Sequence, residues 1–559
     1  MAYRGVFCRY NSKGFNLSIF KHKNPIPHHL IDVKIQPLCR TIGTTDSRHK
    51  SPYFFSFMNA SRSETSAQQI ASVFTTTTSE LQQQQLDTEP AYEYYRQEHE
   101  EQEVVDFAKT VPERQFSELD FCQTEAAFEK KTTQELLRAL VVLQLSSYGL
   151  IVDNSLKLMN LGQFILRKRL FDALMQATFF GQFAVSDAKS DDDLKETVRR
   201  FESAGIHPMI LMTAEEDVGV NPGEFNEAMY NRNLDTMMRC LDLQASLCDA
   251  TSYPLMSQLK VTSYIKADLL AKLTSLLKEK QLNFSNQTPM SYENCLAGMD
   301  GAMEVIPELT REEMAHLHTS MKRLNVLIKH SVNRGVKILV DAERTNINPG
   351  MTMLTLALMA KYNRQYPHIW NTYQCYLKSA YDNVLQSMAI CEQGGFGFGA
   401  KIVRGAYMDH ERNDAKKQNT EDPINPSWEA TNDMYDKVTN YLLEYLHEHG
   451  ASKCNVIIAS HNEESVLKAT QRMKDLGIPV TSTAAVFGQI YGMCDHVSYI
   501  LGKAGYHMYK SIPFGGVNDV LPYLSRRAQE NKTVFHRLTK EKHMIQEELG
   551  NRFRKGRTK

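Results

Sequence analysis

The sequence lacks three features that would each narrow its function. Its 559 residues include ten cysteines, but no two are spaced as C-x-x-C, which argues against a disulfide framework and against a zinc ribbon. No run of about eighteen apolar residues occurs, so we expect no segment that spans a bilayer. A formal net charge of -1 gives no general attraction to nucleic acid. We therefore expect no nucleic-acid partner and no metal ion.

The first fifty residues differ from the rest in composition. They contain nine Lys or Arg residues against only Asp32 and Asp46, and Ser, Thr and Asn are frequent. Without a long apolar segment, this composition is typical of a mitochondrial transit peptide, which we assign to residues 1–55. The alternative is an ordinary disordered basic tail.

Composition also divides the remaining chain into segments. Low complexity, with runs of Thr and of Gln, predicts a poorly ordered leader at 56–130. Apolar residues at helical spacing predict a helical arm at 131–182. A catalytic domain follows at 183–549, with a helical insertion at about 266–334, and residues 550–559 form a basic tail.

Within 183–549, short apolar segments alternate with longer amphipathic ones. This rhythm predicts βαβ units and a parallel sheet, and eight candidate strands favour an α/β fold of the (β/α)₈ TIM-barrel type. A doubly wound open sheet is the alternative. The candidate strands are 207–212, 255–262, 336–340, 372–376, 400–403, 455–459, 480–483 and a segment near 505–509.

Polar side chains occur within or directly after five of these segments, namely Lys260, Asp341, Gln374, Arg404 and His461. In a parallel barrel the strand ends meet at one rim, so the five together predict a site there. Taken singly, three of them have a structural explanation: the lysine can extend to solvent, the aspartate can cap a helix, and the histidine can be a buried structural residue.

The segment 521–531 is predicted to be a helix that carries two adjacent arginines. Arg526 and Glu530 are four residues apart and share a face, and Arg527 is their neighbour. A salt-bridged solvent face is the common outcome of such a pattern. After the eighth strand, however, two guanidinium groups at the rim can bind a carboxylate in bidentate fashion.

These residues occur in an order that resembles the proline dehydrogenase family. The motifs are Lys260, Asp341-Ala-Glu343, Lys401-Ile-Val-Arg-Gly-Ala-Tyr407, Ala459-Ser-His-Asn462, Phe487-Gly-Gln489 and Arg526-Arg527-x-x-Glu530-Asn531, and the resemblance covers about residues 175–545.

The resemblance implies a distorted barrel that binds FAD without a covalent bond. It implies oxidation of L-proline to 1-pyrroline-5-carboxylate, the first step of proline catabolism to glutamate. It also implies transfer of the electrons to ubiquinone, and a peripheral position on the matrix side of the inner mitochondrial membrane.

The resemblance also implies roles for individual residues. No acid or base catalyst is assigned. The substrate-binding positions are Lys260, Asp341, Tyr491, Ser511, Arg526, Arg527 and Glu530. The cofactor-binding positions are Gln374, Lys401, Val403, Gly405, Ala406, Thr431, Asn432, His461, Asn462, Gln489 and, again, Glu530.

Position 511 departs from the proline-specific members of the family, which usually carry a tyrosine there. Ser511 leaves a roomier pocket, which Tyr491 is expected to fill in part. The hydroxyproline dehydrogenase branch resembles this sequence at that position, so trans-4-hydroxy-L-proline is the alternative substrate. Two further hypotheses are a different FAD-dependent barrel reductase and a catalytically silent interaction protein. The helix with paired arginines argues against the reductase. The presence of all the residues expected to bind the substrate carboxylate argues against a silent relative.

Overall fold

The computed structural model describes residues 4–11, 14–21, 119–186, 191–212, 227–248, 253–282, 284, 288–530 and 538–556. The predicted transit peptide at 1–55 and leader at 56–130 lie mostly outside these residues. Within the former, Arg4–Asn11 (β1) pairs with Gly14–Lys21 (β2) as an antiparallel hairpin, which forms a unit of its own. Residues 119–130 of the leader belong to packed structure instead, because Phe121 and Phe128 are buried.

The second unit begins with helices, and its other strands and helices alternate along the chain. The strands are Val185–Ser186 (β3), Ile206–Met212 (β4), Leu255–Leu259 (β5), Val336–Val340 (β6), Ile369–Gln374 (β7), Phe398–Val403 (β8), Cys454–Ala459 (β9), Ala485–Ile490 (β10) and Met508–Gly515 (β11).

The helices number nineteen in the described residues. They are Thr124–Phe128 (α1), Thr133–Ser146 (α2), Gly149–Asp153 (α3), Ser155–Ile165 (α4), Lys168–Ala177 (α5), Phe179–Phe183 (α6), Asp191–Glu202 (α7), Glu227–Leu247 (α8), Ala267–Glu279 (α9), Tyr292–Met299 (α10), Arg311–Asn333 (α11), Asn348–Tyr362 (α12), Ala380–Gly394 (α13), Met408–Gln418 (α14), Trp428–His449 (α15), Glu463–Asp475 (α16), Asp495–Lys503 (α17), Val517–Glu530 (α18) and Thr539–Arg554 (α19).

The strands β4 to β11 form a nearly closed parallel barrel, which confirms the predicted fold class. Parallel ladders run from β5 through β11 in sequence order, and β4 pairs with the far side of β11. β6 and β7 are buried at every position, as expected for strands with helices on one side and a filled barrel interior on the other. The three helices α9 to α11 lie between β5 and β6, in the range where the sequence predicts a helical insertion.

The barrel closes between β4 and β5 through side chains. No ladder of backbone hydrogen bonds joins these two strands within the described residues. Gln244 of α8 instead donates from Nε2 to the carbonyls of Pro208 in β4 (3.4 Å) and Met256 in β5 (2.7 Å). Pro208 has no N–H to offer to a ladder, which is one reason for this arrangement.

A buried ion triad attaches the helical arm to the barrel. Lys131, just before α2, pairs with Asp495 at the start of α17, and Asp495 also lies 3.1 Å from Nζ of the fully buried Lys510 in β11. Burial alone would raise the pKa of Asp495, but the two ammonium groups hold it below its usual range. The arm is therefore held by charge as well as by apolar packing.

One predicted strand, 480–483, is wrong. Ser482 donates its N–H to the carbonyl of Pro479 (3.0 Å), and its hydroxyl accepts from the N–H groups of Ala484 and Ala485 (both 3.3 Å). These bonds form a turn, because a serine side chain offers the backbone an alternative to a ladder. The strand begins two residues later, as β10.

Candidate active site

A cavity of about 870 Å³ lies where the barrel strands end. All eight barrel strands contribute to its lining, seven of them from their carboxyl-terminal halves or the residues just beyond, and β11 through Ser511 near its middle. Thirteen of the positions singled out from the sequence line it: Lys260, Asp341, Gln374, Lys401, Val403, Gly405, Ala406, Thr431, His461, Asn462, Gln489, Ser511 and Arg527.

Three other positions with described side chains do not line this cavity. Arg526 and Asn432 are absent from its lining. Tyr491 also lies elsewhere, because its ring packs edge-on against Phe201 of α7, with 5.8 Å between the ring centroids. It therefore does not fill the space beside Ser511, contrary to expectation. The side chain of Glu530 lies outside the described residues, as does Asn531.

Two basic side chains that line the cavity come from distant parts of the chain. Lys260 follows β5 directly, and Arg527 projects from α18 after the last strand. Arg527 lies over the ring of Tyr523, with 5.2 Å from Cζ to the centroid, and Tyr523 lines the same cavity. The contact is of the cation–π kind and places the guanidinium group beside an aromatic ring of the cavity wall.

Asp341 and Lys401 form an ion pair on the cavity wall. Nζ of Lys401 lies 2.5 Å from Oδ1 of Asp341, and the lysine is nearly buried. The N–H of Asp341 donates to the carbonyl of Leu259 (2.9 Å), which places the carboxylate between β5 and β6. Asp341 therefore neutralises Lys401, and its expected role in binding substrate stays a prediction.

His461 is uncharged at neutral pH. Burial lowers the pKa of its imidazole to about 3, and the nearby Lys510 ammonium adds to the effect. Nε2 accepts a long hydrogen bond from the N–H of Ile490 (3.5 Å), which leaves the ring proton on Nδ1. Nδ1 is buried and has no hydrogen-bond partner among the described residues, while other atoms of the residue line the cavity.

Both ends of the Gln489 amide are bound by the protein. Nε2 donates to the carbonyl of Ser460 (3.0 Å), and Oε1 accepts from the hydroxyl of Ser498 (2.5 Å). Gln374 is similarly fixed by donation to the carbonyl of Glu343 (2.8 Å). These amides present one defined edge each to the cavity.

Arg404 is an organising residue that the sequence did not single out for a role. It donates to Asn432 Oδ1 (2.9 Å), Ser460 Oγ (2.8 Å) and Ser465 Oγ (2.9 Å), and it stacks on Tyr435 at 4.3 Å. It thereby ties β9 to the starts of α15 and α16, and it keeps Asn432 out of the cavity. Its position directly after β8 was the available signal.

Gly405 adopts a backbone conformation that only glycine tolerates well. Its φ is +128°, and an added Cβ would lie 1.7 Å from Cδ1 of the Tyr376 ring. The backbone of 404–406 therefore lies directly against a buried aromatic ring. This close approach leaves main-chain groups, rather than side chains, at that part of the cavity surface.

Ser511 and Gln258 form a polar pair on the wall near Lys260. The Ser511 hydroxyl donates to Gln258 Oε1 (3.2 Å), and both residues line the cavity. The bond joins β11 to β5 across the intervening β4. A hydroxyl and an amide side by side can together donate and accept a hydrogen bond.

A second ionic group borders the cavity on the α19 side. His496 Nε2 lies 2.8 Å from Glu463 Oε1, and Glu541 accepts from the N–H of Asp495 (2.8 Å) at the start of α17. Burial alone would lower the pKa of His496, but Glu463 and Glu541 raise it to about 9. The imidazolium therefore links α16, α17 and α19 at neutral pH.

Comparison with known proteins identifies relatives across most of the chain. A sequence model described as proline dehydrogenase matches residues 195–540. Hydroxyproline dehydrogenase of Xenopus laevis is 39% identical over 425 residues, 76% of this chain and 88% of the relative. Human proline dehydrogenase 1, mitochondrial, is 29% identical over 549 residues, 78% of this chain and 90% of the relative.

Among solved structures, proline utilization A from Bdellovibrio bacteriovorus, inactivated by N-propargylglycine, is similar with a TM-score of 0.49 and 17% identity. The match covers 74% of this chain and 38% of the bacterial one, so the chain spans well under half the length of that protein.

Proposed function

The chain belongs to the proline dehydrogenase family of oxidoreductases, and from that premise we propose that it oxidises a proline-type cyclic imino acid with FAD. With L-proline the product is 1-pyrroline-5-carboxylate. The observation that carries the proposal is that Lys260 and Arg527 line one cavity together with the polar positions that the family resemblance assigns to flavin.

The volume of the cavity and the residues that line it fit FAD. Its volume of about 870 Å³ lies near the upper end of the roughly 300–1,000 Å³ typical of ligand pockets. Along β8 to β10 the lining includes Val403, Ala459 and Gly488, whose small side chains leave room for a flat ring. His461 lines the same part of the cavity as an uncharged imidazole.

The remaining cofactor positions extend from this ring site towards α15. Lys401 supplies a positive charge at this part of the cavity. Because Asp341 pairs with it, Lys401 attracts anions less strongly than an unpaired lysine would. Ser427 caps α15, so the positive end of that helix faces the cavity beside Thr431, where a phosphate oxygen or a ribose hydroxyl would be bound. We propose Gly405 and Ala406 as main-chain contacts to the same ligand.

The cationic side chains of the chain bind and orient the substrate. Lys260 and Arg527 would hold the carboxylate, which fixes the ring relative to the cofactor and lowers the entropic part of the barrier. Bound FAD would supply the chemistry by accepting a hydride from the ring carbon next to nitrogen. We propose Arg526 and Glu530 as the further members of this clamp.

Trans-4-hydroxy-L-proline is a second candidate substrate, favoured by a specific contact. Ser511 and Gln258 can donate to and accept from a ring hydroxyl, and Tyr491 does not occupy the space beside them. The relatives point the same way, since hydroxyproline dehydrogenases are 36–39% identical to this chain and proline dehydrogenases 28–29%. We infer that the pocket accepts both rings and binds the hydroxylated one better.

We further propose that the electrons pass to ubiquinone and that the protein works on the matrix side of the inner mitochondrial membrane. The relatives named mitochondrial and the basic, acid-poor composition of residues 1–50 support a mitochondrial address. A lipid-soluble acceptor requires contact with the bilayer in which it is dissolved.

The test is a paired kinetic assay on L-proline and trans-4-hydroxy-L-proline with a quinone acceptor. Arg527→Ala should raise KM for both substrates roughly 10- to 100-fold, because a charge-assisted hydrogen bond to a carboxylate is worth about 1.5–3 kcal/mol. Bound flavin, read from its visible absorption, should stay unchanged. Arg364→Ala, which removes an exposed arginine outside the cavity, is the matched control. Loss of flavin with unchanged KM would show that Arg527 does not bind substrate.

A further inference from the structure

Helix α4 is apolar but none of its eleven residues is buried. The Phe164 side chain is 89% exposed and the Leu150 side chain, in the adjoining α3, is 80% exposed. Further exposed apolar side chains surround them: Leu156, Leu158, Leu161, Ile165, Leu170 and Leu174. A contiguous exposed apolar surface of this kind marks an interaction site.

The inner face of α4 already has a partner within the chain. Gln163 donates to Asn518 of α18 (3.1 Å), and the hydroxyl groups of Ser155 and Ser525 lie 2.5 Å apart. A cavity of about 460 Å³ separates the rest of this face from α18. The inner face therefore positions α4 on the helix that carries Arg527.

The outer face of α4 carries Leu158, Leu161, Phe164 and Ile165, with the exposed Lys157 among them. At 100° per residue these side chains share one side of the helix, away from Leu156 and Gln163. The face is convex and one helix wide. This shape suits insertion between lipid headgroups better than the packing of a flat or grooved protein surface.

Basic residues adjoin this apolar face. Arg167, Lys168 and Arg169 follow α4 directly and are exposed, and Lys157 lies on α4 itself. Residues 149–177 contain these four basic side chains against Asp153 and Asp172. Apolar insertion beside a basic turn is complementary to a bilayer with anionic headgroups.

We propose that the outer face of α4, with the basic turn 167–169, docks the protein on an anionic bilayer surface. No helix among the described residues is long and apolar enough to cross a membrane. Docking through α4 places α18, and with it the mouth of the cavity, beside the bilayer. The link to a lipid-soluble electron acceptor rests on the proposed function, whereas the docking itself does not.

The experiment is co-sedimentation of the full chain, loaded with FAD, with phosphatidylcholine vesicles that contain or lack phosphatidylglycerol. Phe164→Ser/Ile165→Ser should lower the ratio of bound to free protein by about tenfold or more, because two large apolar side chains no longer enter the bilayer. Val305→Ser/Val326→Ser, which removes two exposed apolar side chains outside the arm, should change that ratio by less than about twofold.

Charge is tested separately with Arg167→Gln/Arg169→Gln. This variant should lose roughly fivefold per residue in binding to the anionic vesicles, and the loss should vanish at high salt. Lys322→Gln/Lys329→Gln, on α11, is its control.

Turnover of the imino acid with a soluble dye acceptor should be the same in all variants. Failure of the full chain to sediment with anionic vesicles would overturn the docking proposal, as would equal losses in the α4 variant and its control. A chain that binds vesicles but oxidises neither substrate would refute the proposed function and leave the docking surface standing.

Discussion

Replacement of Gly405 by alanine tests how closely the cavity backbone approaches Tyr376. The new Cβ would lie 1.7 Å from Cδ1 and 1.8 Å from Cε1 of that ring, against about 3.5–4.0 Å for carbon atoms in contact. The ring must therefore move by about 2 Å. Tyr376 is buried with Leu377, Ala380 and Ile424, so it cannot move without disturbing that cluster.

The cost of this substitution has two parts. A left-handed conformation costs a side-chain-bearing residue roughly 1–2 kcal/mol, and overpacking costs about 1–3 kcal/mol. Gly405→Ala should therefore lower the free energy of unfolding by about 2–5 kcal/mol. It should also weaken flavin binding, because the backbone at 405 and 406 is displaced from the cavity wall.

Gly450 supplies a matched control. Its φ is +83°, and an added Cβ would meet no heavy atom within 4 Å. Gly450→Ala should cost only the strain, about 1–2 kcal/mol, and should leave flavin in place. Urea unfolding and visible absorption of the purified variants measure both quantities. Equal losses of stability in the two variants, or full flavin retention in Gly405→Ala, would refute the close approach as the cause.

Three further predictions concern charge and specificity. Asp495→Asn leaves two lysines at the arm without their carboxylate and should lower the free energy of unfolding by about 3–5 kcal/mol, whereas Lys131→Met should cost less because Asp495 keeps its other partner. A larger loss in Lys131→Met than in Asp495→Asn, by urea denaturation, would exclude this explanation. The stability that His496 contributes, about 3 kcal/mol from its raised pKa, should be complete below pH 6.5 and disappear as pH rises through about 9; a difference between wild type and His496→Gln that is flat across this range would contradict it. Ser511→Tyr should shift the ratio of kcat/KM at least about tenfold towards L-proline, and an unchanged ratio would remove Ser511 as the discriminator.

Much of the barrel could be predicted because its strands are buried on both sides. Fully apolar runs such as 336–340 leave a clear signal, and the polar residue that follows each run marks the rim. The strand at 480–483 was wrong because Val480 and the β-branched threonines favour a strand, while the serine between them forms a turn with Pro479. Local side-chain bonds of this kind are weak signals in a sequence.

For residues of the site, the sequence predicted which ones lie at the rim better than it predicted which side chains pair with each other. The sequence placed Asp341 and Lys401 at the rim but could not show that they pair with each other, because the residues are sixty positions apart. Likewise, Gly488, Gln489 and Ile490 all line the cavity, and the sequence could not show that Tyr491, directly after β10, turns its ring towards Phe201 of α7 instead. The sequence placed Arg404 at the rim as well, but it could not show its three partners, because Asn432, Ser460 and Ser465 lie 28 to 61 positions away.

Within the described residues, the junction between β4 and β5 is a joint of the barrel that no backbone ladder closes. Other neighbouring strands are held by a row of amide hydrogen bonds, whereas these two are joined by side chains: Gln244 donates to both strands, and the hydroxyl of Ser257 in β5 donates to the carbonyl of Ile210 in β4 (3.4 Å). The Ser511–Gln258 bond spans the same joint from the inside. A ring hydroxyl that inserts into that bond would alter the spacing of the joint, and with it the distance of Lys260 from the opposite wall. The spacing of the barrel strands, as well as the side chains on the pocket surface, would then contribute to discrimination between the two imino acids.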